Sequence, residues 1–137
     1  MNETIYIENF IEKENVIGAI KNVLNIAASE QIDIYGGGPL SDDYMVSCYV
    51  DREHGYKVSF DFWSKHFRFE EDFQGFTQNL ANKIASNVFI CFHEDKGALG
   101  NYDIGKGILF MPDNQWRISQ YEIKAYDDGE DYFFVEM

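Results

Sequence analysis

Val88-Phe89-Ile90-Cys91-Phe92 is an unbroken apolar run. Its residues do not alternate, so neither face of the segment can look at water, and it is too short for a helix of that burial. β-Branched and aromatic residues dominate it. It is predicted to be a strand in the middle of a sheet, covered on both faces. Just before it, Glu70 to Ser86 carries helical spacing, with Phe73, Phe76, Leu80 and Ile84 forming one stripe. Glu70, Glu71 and Asp72 suit the positive end of a helix dipole, Lys83 suits the last turn, and Asn87 is the expected left-handed cap. A helix therefore feeds straight into the central strand.

Outward from that pair, Thr4 to Ile7 is a short strand. Asn9 is the expected cap of a first helix, with Glu12 in the capping-box position, and that helix is expected to run to about Ala28. Ile17, Ile20, Leu24 and Ala27 make its apolar stripe. Ile32 and Ile34 suggest a strand ended by Gly36-Gly37-Gly38-Pro39. Tyr44–Val50 and Tyr56–Trp63 read as a hairpin, the second arm half-buried with Lys57, Ser59 and Asp61 on a wet face. In the first arm Tyr44, Val46, Cys48 and Val50 share one face. Ile108–Met111 and Trp116–Ile123 form a second hairpin around Pro112-Asp113-Asn114. Along its second arm the apolar set changes parity between Ile118 and Tyr121, which predicts a bulge near Ser119 or Gln120. Tyr132 to Val135 is a last strand. Two helices among hairpin-linked strands predict an α+β fold: one domain over residues 1–137, a mainly antiparallel sheet with two helices packed on one face.

The 137 residues are 45% hydrophobic and 17% aromatic, a composition that can bury its own core. Eleven Lys and Arg stand against 24 Asp and Glu, for a net charge of −13. Such a field repels phosphate backbones and anionic lipid, so neither nucleic acid nor membrane is an expected partner. It speeds the capture of basic proteins. Cys48 and Cys91 both lie in apolar strand-like runs, and are expected to be buried reduced thiols in a cytoplasmic protein. The start of the chain lacks a basic region followed by an apolar one, and no apolar run approaches the roughly 18 residues that span a bilayer.

No motif for chemistry stands out. Cys91 and His93 would share a strand face, which a thiolate mechanism needs, but Cys91 sits in the most apolar run of the chain. His54, His66 and His93 have no metal-ligand spacing. The glycine triplet is followed by Pro39 and acidic residues, which does not suit a phosphate loop. Asp127-Asp128-Gly129-Glu130-Asp131 lacks the alternating ligands and closing glutamate of a calcium loop. No cofactor and no metal is expected, and the chain reads as a binding protein rather than an enzyme.

What remains is a recurrent pairing of carboxylates with rings. It occurs at Asp42-Asp43-Tyr44, at Phe69 to Phe73, at His93-Glu94-Asp95 and from Tyr126 to Tyr132. Acidic groups steer a basic partner and aromatic rings anchor it once water leaves. In size, charge and element pattern the whole chain resembles the immunity proteins of bacterial contact-dependent inhibition and related polymorphic-toxin systems. The resemblance has no motif to match residue by residue. It departs from the barstar-like inhibitors in having many more strands than helices. It implies a cytoplasmic inhibitor that occludes a basic toxin domain, a nuclease and by preference a ribonuclease. The expected contact residues are Glu94, Asp95, Tyr126, Asp127, Asp128, Glu130, Asp131 and Tyr132. Two other readings stay open: a small ligand-binding or accessory subunit of a larger complex, and an enzyme using Cys91 and His93.

Overall fold

A computed structural model describes residues 2–26, 39–41, 43–92 and 104–136. In chain order the elements are β1 (Asn2–Ile7), α1 (Lys13–Leu24), β2 (Pro39–Ser41), β3 (Tyr44–Asp51), β4 (Val58–Ser64), α2 (Glu70–Ile84), β5 (Val88–Cys91), β6 (Ile104–Met111), β7 (Gln115–Ala125) and β8 (Asp131–Val135). The strands form one sheet of order β2-β3-β4-β1-β5-β6-β7-β8. Every neighbouring pair is antiparallel. The fold is α+β, as the element pattern predicts.

β5 lies inside the sheet between β1 and β6, and all four of its residues are buried. Val88 and Ile90 point into a core shared with Val16, Ile17 and Ile20 of α1 and with Phe73, Phe76 and Leu80 of α2. Phe89 and Cys91 point the other way, into a second cluster with Tyr56, Leu109, Tyr121 and Phe133. Both helices lie on the first side, packed against one another and the sheet.

The second cluster exists because the sheet curls. β1 and β8 are separated by β5, β6 and β7, a span of ~19 Å in a flat sheet. Yet the Tyr6 and Phe133 rings stack with centroids 3.8 Å apart and planes within 6°. The Tyr56 N–H donates to the Phe133 carbonyl at 2.7 Å, fastening the β3–β4 loop to the far edge strand. Gly55 makes that approach possible. Its φ is +69°, and a Cβ there would lie 2.3 Å from the Phe133 carbonyl oxygen.

Several local expectations need correction. α1 starts at Lys13, not after Asn9, because residues 8 and 9 are tied elsewhere: the Glu8 N–H donates to the Asn87 carbonyl at 3.0 Å and the Asn9 N–H to Ser86 Oγ at 3.2 Å. It ends at Leu24, where Asn25 takes the left-handed cap. α2 is capped by Ala85 at φ +54°, not by Asn87, because the helix stops at Ile84; the Asn87 carbonyl lies beyond it and accepts from the Glu8 N–H. Cys48 is exposed, at φ +53° inside a register shift between Ser47 and Val50 that turns its side chain out of the alternation. Register shifts lie there and between Pro39 and Ser41 of β2, rather than in β7: β6 and β7 pair without a break from Ile104↔Glu122 to Met111↔Gln115. The parity change in β7 instead marks two surfaces. Tyr121 faces the second cluster, while Trp116 and Ile118 lie on the helix side. The expected wet face of β4 is mostly enclosed. Ser59 is buried and accepts from Arg52 Nη1 at 3.0 Å, and Asp61 accepts from the Thr4 hydroxyl at 2.7 Å. The predicted strand at Ile32 and Ile34 and the glycine triplet lie outside the described residues.

Candidate protein-binding surface

The curl brings the β3–β4 loop beside the β7–β8 turn. Between them opens a cleft of about 800 Å³ lined by Asp51, Arg52, Glu53, Lys57, Asp128, Glu130, Tyr132 and Phe10. Four carboxylates thus surround two cations. Asp127 and Asp131 are exposed on the same turn, and Phe10 offers an exposed ring at the margin.

The turn is built around Asp128. One of its carboxylate oxygens accepts from the Glu130 N–H at 2.9 Å and the other from the Tyr132 hydroxyl at 2.5 Å. The Gly129 N–H donates to the Tyr126 carbonyl and the Tyr126 N–H to the Glu130 carbonyl, both at 3.0 Å. Gly129 supplies the positive φ, +80°, that closes the turn. The hydrogen bonds from Tyr132 and Glu130 hold the Asp128 carboxyl below the usual carboxylate range. The same carboxylate pushes the Tyr132 hydroxyl up to about 12.

Rings lock loop to turn. His54 stacks on Tyr126 with centroids 5.8 Å apart and meets Tyr132 edge-on at 5.1 Å. Tyr126 and Tyr132 meet edge-on at 4.6 Å. Tyr132 is only 2% exposed, so it supports the surface from beneath, whereas Tyr126 is 42% exposed.

The acidic clusters seen in the sequence have different fates. Asp43 is held by Lys65 and His66, both at 3.0 Å, and its carboxyl is depressed chiefly by those hydrogen bonds. Asp72 accepts from the Arg68 and Phe69 N–H groups at 2.9 and 3.2 Å and so caps α2. Glu94 and Asp95 lie outside the described residues. Tyr126 to Tyr132 does form one surface, joined by Asp51, Glu53 and His54 from a loop that local sequence gave no reason to place there. A glycine in that loop was the one available hint, since a positive φ often marks a close backbone approach.

Among the described residues no three His, Cys, Asp or Glu side chains gather as a metal site requires, and no helix is long and apolar enough to cross a membrane. Cys91 is buried in the second cluster, and His93 lies outside the described residues. Comparison with protein-family models, curated proteins and solved structures gave no match.

Proposed function

We propose that this protein is a cytoplasmic immunity protein that binds a basic toxin domain, a nuclease and by preference a ribonuclease, and neutralises it without doing chemistry. The observation that carries the reading is the cleft in which the β3–β4 loop and the β7–β8 turn pool their carboxylates, with an exposed Tyr126 packed beside it on His54 and Tyr132. A nuclease active site is a cationic surface shaped for phosphates, and carboxylates held in a cleft can take the place of those phosphates. Arg52 and Lys57, set among the carboxylates, give the surface an internal pattern of sign. That pattern discriminates between partners as well as attracting them. The aromatic ring supplies apolar contact once water is expelled.

The test is association with the basic domain of a toxin encoded beside this chain, measured as an on-rate at low and high salt. The variant carries Glu53→Lys, Asp127→Lys, Glu130→Lys and Asp131→Lys together, and leaves Asp128 to hold the turn. Reversal is expected to slow association by about tenfold or more at low salt, with a smaller effect at high salt. It should also abolish protection of cells that express the toxin. An on-rate equal to that of the unaltered protein at both salts removes this surface as the contact.

A further inference from the structure

On the helix side of the sheet, apolar surface runs on past the edge of α2. Ile108 and Phe110 of β6 are buried beneath that helix. Their cross-strand partners on β7 are Ile118 and Trp116, which therefore share their face and are 60% and 61% exposed. Ile104, on the same face of β6, is 53% exposed. A groove of about 560 Å³ runs between α2 and β7, with Gln74 and Gln78 along its wall and Phe110, Ile108, Trp116 and Ile118 in its floor. Large exposed side chains continuous with a core mark a contact surface.

The charges on this face are a second, separate observation. Its remaining positions on β6 and β7 are Lys106, Gln120, Glu122 and Lys124. Glu122 lies 3.8 Å from Lys124, which also sits over the Phe134 ring. Glu136 lies opposite Gln120 on the same face, so the described strand positions here carry two lysines and two glutamates, no acidic excess in a chain of net charge −13. The face offers lysines and carboxylates that can pair crosswise with their counterparts.

We infer that this face is the contact between two copies of the chain, related by a two-fold axis. Two molecules of net charge −13 repel one another, and on the described strand positions of this face the charges balance. An isologous contact needs a self-complementary surface. Apolar Trp116 and Ile118 meet their own kind, and Lys106 or Lys124 of one copy faces Glu122 of the other. Its apolar centre, Trp116 and Ile118, lies towards the opposite end of β7 from Tyr126, and none of the residues lining the acidic cleft is used, so the inference stands apart from the proposed function.

The two contacts respond to salt with opposite sign. Salt screens the general repulsion between copies and so tightens the dimer, while it weakens the grip of the cleft on a basic partner. The test is sedimentation equilibrium of the full chain across the micromolar range, at low and high salt. A monomer–dimer equilibrium that shifts towards dimer with salt is expected. Ile118→Lys and Trp116→Ala should each raise the dimer dissociation constant by about tenfold or more. Both residues are exposed, so circular dichroism and melting temperature should stay close to those of the unaltered chain. With Trp63→Phe as background, Trp116 emission should move to shorter wavelength as concentration rises. A monomer at every concentration and salt overturns the inference, and so does a dimer that neither substitution weakens.

Discussion

Asp128 spends both carboxylate oxygens inside its own turn, on Glu130 and Tyr132. A carboxyl held below its ordinary pKa stabilises the folded state above that ordinary value, and the contribution is lost as pH falls through the folded one. Asp43, between Lys65 and His66, behaves in the same sense. For Tyr132 the sign is reversed. Its hydroxyl is pushed up to about 12, so its contribution is complete below the ordinary phenol value of about 10 and is lost as pH rises beyond it. The turn should therefore hold across the neutral range and loosen at both extremes. Asp128→Asn keeps an acceptor for the hydroxyl but removes the charge. Tyr132 should then ionise nearer its ordinary value, visible as an earlier ultraviolet transition in alkaline titration; superimposable curves would show that the carboxylate does not set it. Sequence marked Asp127 to Asp131 as acidic. It could not separate Asp128, which builds the turn, from its neighbours, because that distinction rests on where the Tyr132 hydroxyl points. Cys48 was illegible for a related reason: one residue at positive φ undoes the alternation from which burial is read.

At the scale of elements, two glycines at positive φ make a controlled comparison. A Cβ at Gly129 meets nothing within 4 Å, whereas one at Gly55 meets the Phe133 carbonyl. Gly129→Ala should cost only the backbone term, about 1 kcal/mol. Gly55→Ala adds a steric clash that must part the loop from β8, and a loss on the order of 2–3 kcal/mol is expected. Ala85 is an exposed non-glycine residue in the left-handed cap of α2. Ala85→Gly should raise stability by about 0.5–1 kcal/mol. Urea denaturation of the three variants checks all of this, and equal losses for the two alanine variants would refute the account of Gly55. β5 and α2 were legible because their patterns are local and redundant: an unbroken run and a repeated stripe each survive one misread residue. The start of α1 was not, because the bonds that hold residues 8 and 9 come from Ser86 and Asn87, far along the chain.

The whole molecule is a sheet with two unlike sides. One side is covered by two helices and leaves an apolar strip beside α2; the other curls on itself until β8 meets the β3–β4 loop. The curl comes from aromatic packing across strands that are not neighbours, Tyr6 of β1 and Phe89 of β5 against Phe133 of β8, with Tyr121 of the adjacent β7 stacked on the same ring. Periodicity reports which residues share a strand face, not which distant strand lies over them. For that reason the cleft could not be read in advance, although Asp128, Glu130 and Tyr132 among its lining residues were named as contact residues. Phe133→Ala should cost about 3–5 kcal/mol and should also disturb the cleft. Its effect on partner association should then exceed that of any single surface substitution at matched folded fraction. Binding that survives in the folded Phe133→Ala protein would separate the cleft from the curl.

The bond between Tyr56 and Phe133 also has a consequence in time. The β3–β4 loop is made before β8 and waits for that strand before it has anything to close against. A ribosome-bound chain halted before β8 would hold the central strands but no closed cleft. Closure of the cleft would therefore come in a single step, with the completion of that strand.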